Sequence, residues 1–284
     1  MILKRGFSVM RSSVVTLIQN PGILYPYAIV GILQLFILEI LFFMPRYPLI
    51  QIFGPMILAL KKSPFFLHYP FNFEVVNSWF QSLQVPFYVF VQILFVAKAV
   101  LIVQKTEQRQ AVESMPKVAF GKYVNLVVGA AIIIGLMYAF NYGYSFLIRR
   151  AVQIRSTSGL YFLIKQAVIL GGPYINLMVS AFITACFAYV IPLIAIEGDN
   201  VFKAVFRNFK LLKGDFFVLL AFLTVAALCF VPFLLVKTNE IAIRSMMTPE
   251  GWQMITILGA GLILLIDALQ YTGITIVYLK KDRS

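Results

Sequence analysis

Apolar residues gather into six long runs along the chain, at 22–43, 83–103, 123–148, 174–196, 216–236 and 254–279. A helix of about 20 apolar residues crosses ~30 Å of hydrocarbon, so each run predicts one membrane span. Helices are required because lipid offers the backbone no hydrogen-bond partner. The two-residue alternation of a barrel strand is absent. The pattern therefore predicts an all-α polytopic membrane protein of about six transmembrane helices, forming a single integral membrane domain over 1–284.

Between the runs a second periodicity repeats. Over 200–213, Val201, Phe202, Val205, Phe206, Phe209 and Leu212 share one helical face, with Lys203, Arg207 and Lys210 opposite. Asp199 or Asn200 can cap the start of this helix and Gly214 can end it. At the N-terminus Phe7, Met10, Val14, Leu17 and Ile18 form a similar stripe facing away from Lys4, Ser8 and Arg11. A weaker copy, interrupted by Pro116, covers 109–120. The chain thus reads as three possible repeats, 1–105, 106–197 and 198–284, each a surface helix followed by two spans. Basic helices before the odd spans of any membrane protein whose N-terminus is inside would give the same impression.

The loop 44–82 carries a half-length apolar run at 48–60, then Phe65, Phe66, Tyr69, Phe71, Phe73, Trp79 and Phe80. Aromatic rings favour the headgroup level, which predicts an interfacial segment; a lid or docking surface is the alternative. Proline and glycine breaks at Pro26, Gly171, Gly172, Pro173, Pro192 and Pro232 mark helix starts and kinks. Ala181 and Ala185 form a small-xxx-small pair.

Composition agrees with lipid as the solvent: 61% of residues are hydrophobic and 12% charged, where a soluble domain is nearer half and a quarter. The net charge of +13 would suit a nucleic acid, but the basic residues are spread over short segments between apolar runs, and no nucleic-acid partner is expected. The segments before spans one, three and five and the C-terminal tail hold 14 of the Lys and Arg residues, against nine in the intervening loops. That bias predicts both termini in the cytoplasm. The basic start of the chain has no small-residue cleavage site after its apolar stretch and reads as an uncleaved first segment. Cys186 and Cys229 lie inside apolar runs and form no framework. The single histidine, His68, reads as structural or interfacial.

Three ionisable residues fall inside the runs: Glu39, Lys98 and Asp267. Each costs about 2.5–3.5 kcal/mol at a helix centre, so such residues are usually paired or functional. Counting from the span ends puts Lys98 within reach of Asp267, and we expect this pair, with Glu39 in the outer third of span one. The group reads as a packing ion pair, a proton or ion site, or part of a substrate cavity or subunit contact.

Nucleotide, zinc-protease and nucleophile-elbow motifs are absent. One histidine allows no His-based metal cluster, and no enzymatic activity or cofactor is expected. The Px[DE]xx[KR] signature of mitochondrial carriers, another six-span architecture, has no copy here.

The stretch AYVIPLIAIEGDNVFKAVFRNFKLLKGDFF (188–217), and more loosely RSSVVTLIQNPGILYPYAI near the start, resembles the six-span domain that precedes some bacterial glycerophosphodiester phosphodiesterases, and related stand-alone membrane proteins. The resemblance implies a multi-pass protein of the bacterial cytoplasmic (inner) membrane and supplies no catalytic residues. The leading expectation is a non-enzymatic scaffold, regulatory or lipid/envelope-homeostasis module. Its basic surface of Lys203, Arg207, Lys210 and Lys213 would lie on anionic inner-leaflet lipids, with a protein partner or homo-oligomer possible. The alternative is a small transporter or channel using the intramembrane charges. A cavity around those charges favours transport, and a dry pair favours the module.

Overall fold

The computed structural model describes residues 2–108, 121–153 and 158–282. The middle surface helix expected over 109–120 lies outside the described residues. The chain is an all-α polytopic membrane protein, and no strand occurs among the described residues. Its helices are α1 (Ile2–Gln19), α2 (Tyr25–Phe43), α3 (Ile50–Lys61), α4 (Asn72–Phe87), α5 (Ile93–Gln108), α6 (Tyr123–Val152), α7 (Gly159–Cys186), α8 (Val201–Leu212), α9 (Phe216–Leu228), α10 (Val231–Thr238), α11 (Glu240–Arg244) and α12 (Pro249–Asp282).

Among the described residues, five helical segments are long and apolar enough to cross a membrane: α2 with its leading turn, the continuous rod of α4 and α5, α6, α7 and α12. The fifth expected span is not one straight helix. At 13 residues, α9 is roughly 20 Å long, short of ~30 Å of hydrocarbon. After a turn at Cys229 and Phe230 the chain continues as α10, with Pro232 in its first turn. On its other side α9 follows α8 through a bend of 101°, so α8 runs across the bundle rather than along it.

Several boundaries differ from the hydropathy expectation. The second span begins at Asn72 rather than 83, and the fourth at Gly159 rather than 174. Helices extend past the hydrocarbon into the interface, where polar residues cost little. The fourth also ends early, at Cys186, and a tight passage through residues 187–189 leads to a short helical stretch, 190–197. Two π turns interrupt the rods, Tyr88–Gln92 and Leu193–Glu197. Each follows a proline, Pro86 and Pro192. A proline lacks the N–H that the helical ladder needs, and the ladder resets beyond it.

The main core joins α2, α5, α9, α12 and the 190–197 stretch around Ile23, Val96, Val100, Leu193, Phe222 and Ile274, all fully buried. A second cluster forms where the loop 44–82 folds back over the bundle. Ile57 of α3 packs with Leu38, Leu41 and Met44, and with Val75 and Phe80 of α4. Edge-on ring pairs such as Phe42–Phe73, 5.5 Å between centroids, tie this cap together.

The N-terminal helix departs from its expected orientation. Phe7, Val14 and Ile18 of the apolar stripe point outward, and Gly6, Ser13 and Thr16 are buried against α9 and α12. A β-carbon at Gly6 would sit 3.1 Å from that of Ala221, and one at Gly273 only 2.6 Å from the Ser13 hydroxyl. With lipid as solvent an outward phenylalanine costs nothing, while small residues let backbones approach closely. The buried Ser13 hydroxyl donates to the Val9 carbonyl at 2.8 Å. Arg5 lines a groove with Lys280 and Lys281, so the start of α1 and the end of α12 share one end of the bundle.

Candidate functional site: a polar cavity at mid-depth

The α4–α5 rod spans 37 residues, and its π turn, Tyr88–Gln92, straddles the midpoint. Asp267 lies within one turn of the middle of α12, a helix of 34 residues. Between these two midpoints opens a cavity of about 460 Å³. Gln84, Tyr88 and Gln92 line it from one side, and Asp267, Gln270 and Tyr271 from the other. The remaining walls are largely apolar and include Ile133, Met137, Leu177, Phe230 and Ile263. Gln84, Tyr88 and Gln92 fall four residues apart and share one face of the rod.

The polar groups bond to one another across the cavity. Gln92 Nε2 donates to Asp267 Oδ2 at 2.8 Å. The Tyr88 and Tyr271 hydroxyls share a hydrogen bond of 3.0 Å. Gln34 of α2 also lines the cavity, and its side-chain carbonyl oxygen has no partner. The hydroxyl of Tyr27, on the same helix, has none either. No lysine, arginine or histidine lines the cavity among the described residues.

Three interruptions of the helical ladder border the cavity. The π turn supplies Tyr88 and Gln92, the passage after α7 supplies Phe187 and Ala188, and the α9–α10 break supplies Phe230. Backbone freed from a helix at membrane depth must be satisfied by protein or cavity water. At the α7 break Asn208, fully buried on α8, does this. Its Nδ2 donates to the Cys186 carbonyl at 2.7 Å, and its Oδ1 accepts from the Tyr189 N–H at 2.9 Å.

The structure corrects the expected charge pair. Asp267 takes Gln92 as its partner, and Lys98 makes no ion pair with it. Lys98 is six residues beyond Gln92, roughly 9 Å along the helix, and its ammonium lies 5.6 Å from the centroid of the Tyr25 ring. Glu39 is exposed on the outward face of α2 beside Phe36 and Ile40, away from Asp267. Of the three, only Asp267 reaches the cavity. Gln34, Gln84, Gln92 and Gln270 escaped the sequence reading because amides inside apolar runs carry no charge; the 84–88–92 spacing was the available signal.

The helix α8 shows three faces. Val201, Ala204, Asn208 and Leu212 are buried, and Phe202, Phe206 and Phe209 project outward, 71%, 78% and 51% exposed. Of the expected basic surface, Lys203 and Arg207 are neutralised by acids. Lys203 Nζ pairs with Asp199 at 2.7 Å, and Arg207 pairs with Asp199 at 2.6 Å and with Glu197. Both acids lie in the turn just upstream, outside the window 201–213. Lys210 and Lys213 stay exposed without an ion pair. Burial opposes ionisation of Asp199, but the bonds from Lys203 and Arg207 prevail and hold its carboxyl below the usual carboxylate range. Glu197 and Asp199 in turn raise the Arg207 guanidinium above its ordinary value. Glu197 also accepts from the Tyr278 hydroxyl. Asp215 pairs with Lys281 at 2.8 Å. Lys122, at the start of α6, donates to the Ala195 carbonyl at 2.9 Å, and burial pushes its ammonium down. Together these contacts clamp α8 to α6, α12 and the 190–197 stretch.

Among the described residues no group of three or more His, Cys, Asp or Glu side chains is placed to hold a metal ion. The chain matches no family model, no curated protein and no solved structure.

Proposed function

We propose that this protein is a small-molecule carrier that works from the mid-membrane cavity around Asp267. One observation supports the reading above the others: an ionisable side chain at the middle of its span faces a cavity of ligand size, within the range of about 300–1,000 Å³ usual for binding sites. Intramembrane carboxylates that face cavities mark substrate or ion pathways, and broken helices around such a site are a feature of carriers. The proposal is non-catalytic. It places both termini in the cytoplasm of a bacterial inner membrane, on the strength of the basic bias and the family resemblance.

Cysteine accessibility tests it. In a background lacking Cys186 and Cys229, Ser180→Cys in the cavity wall is treated with a small impermeant cationic thiol reagent, in vesicles of both orientations. Modification from both faces is expected, with no modification of the outward-facing Leu170→Cys. If Ser180→Cys is as silent as Leu170→Cys, the carrier reading fails.

A second reading, the scaffold or lipid-associated module, is favoured by the outward phenylalanines of α8. The 101° bend and these rings suit a helix lying in the plane of the inner leaflet. Lys210 and Lys213 would then face anionic headgroups at about 1 kcal/mol each. With Trp79 and Trp252 replaced by phenylalanine, Phe206→Trp should be quenched by lipids brominated near the headgroup. Absence of quenching would remove this reading, and one-sided labelling of Ser180→Cys would favour it over carriage.

A further inference from the structure

We infer that the ligand of the mid-membrane cavity is a compact apolar molecule bearing a protonated amine. The inference rests on the cavity being a ligand site, and it follows from what its walls accept and what they lack. Asp267 takes one hydrogen bond, from Gln92 to Oδ2, and among the described residues it makes no ion pair. A buried carboxyl without a counter-charge is neutralised either by a proton or by a bound cation, and an ammonium in the cavity supplies the second. Gln34 provides a second, independent sign. Its side chain is nine-tenths buried, lines the same cavity and carries a carbonyl oxygen with no donor. An ammonium brings several N–H donors and a positive charge, the chemistry that each of these two groups accepts. An anion would meet a carboxylate and no cation. A neutral apolar molecule would leave Gln34 and Asp267 as they are. The apolar walls, Ile133, Met137, Leu177 and Ile263 among them, set the rest of the ligand. Tyr88 and Tyr271 already share one hydrogen bond with each other.

Two sources could supply this chemistry, a free hydrophobic amine or the ammonium headgroup of a bilayer aminophospholipid. Three probes share one apolar cage and differ only in the head: 1-adamantylammonium, 1-adamantanol and adamantane-1-carboxylate. Each is titrated against the full chain in phosphatidylcholine nanodiscs, with empty discs as the blank, and binding is read by saturation-transfer NMR. The ammonium should bind about tenfold or more tightly than the other two, the range expected of a charge-assisted hydrogen bond. Asp267→Asn should erase that advantage, and an unchanged monodisperse elution profile and melting temperature in detergent report that the variant is folded. Gln34→Leu should weaken the ammonium alone, by several-fold. Repeating the titration with phosphatidylethanolamine in the disc separates the sources: competition with the ammonium identifies the lipid, and its absence identifies a free amine. Equal affinity for the three heads, no binding of any, or an ammonium affinity untouched by Asp267→Asn overturns the inference. Labelling of Ser180→Cys is read separately, so a water-accessible cavity without amine selectivity would sink this inference and spare the carrier reading.

Discussion

Replacing Asn208 tests how the α7 break is held. Its amide bonds the carbonyl of Cys186 at 2.7 Å and the N–H of Tyr189 at 2.9 Å, and the residue has no exposure. Cys186 ends α7 and Tyr189 precedes the next helical stretch, so neither group has a ladder partner and Asn208→Ala strands an acceptor and a donor together. A stranded buried polar group costs about 1–3 kcal/mol, and the pair therefore about 2–6 kcal/mol. The neighbouring Asn200 accepts only from the Lys203 N–H at 2.9 Å, at the exposed start of the same helix, and its alanine variant should lose about 1 kcal/mol. Reversible unfolding in mixed micelles of SDS and a mild detergent reads both. If Asn208→Ala costs less than Asn200→Ala, other groups satisfy the break and the account of it is wrong.

Double-mutant cycles between Lys98 and Asp267 should give coupling within about 0.5 kcal/mol, as for separated sites; a larger value would restore the ion pair. Gly273→Ala places a β-carbon 2.4 Å from the buried Phe222 ring and should destabilise by about 1–3 kcal/mol, whereas Gly135→Ala, with open space around it, should not. Asp199 is held below its unfolded value near 3.9, so its contribution to stability is present above that pH and disappears as pH falls through the folded value. Asp199→Asn should flatten this acid limb in a melting series from pH 6 to pH 2, and an unchanged limb would assign it to other carboxylates.

Five of the six apolar runs correspond to helices long enough to cross, because hydrocarbon thickness dictates their length, and the run at 216–236 is divided between α9 and α10. The interruptions were less legible. Pro173 lies inside α7 without ending it, whereas Pro192 is followed by a π turn. Whether the chain can leave α7 at Cys186 depends on Asn208, 22 residues later. Asp267 announced itself as an acid in an apolar run, but its partner did not. Register between helices is a tertiary property, and a shift of six residues separates Gln92 from Lys98. The basic face of α8 misled for a related reason: its counter-charges, Glu197 and Asp199, lie before the helix and reach it only after the turn at Gly198, whose backbone adopts φ 77°.

The close fit of α1 bears on biogenesis. Gly6 rests on Ala221 and Ser13 on Gly273, so α1 docks between two helices made long after it. Until α12 is threaded into the bilayer, the Gly6–Ser13–Thr16 edge has no second wall to meet. A nascent chain halted before α12 would display that unfilled edge, which gives membrane quality control a feature by which to tell an unfinished copy from a finished one. Such long-range closure also makes the final step slow, because it waits on sequence-distant contacts. Truncation just before Pro249 should therefore shorten the cellular half-life of the protein far more than loss of a peripheral helix such as α11.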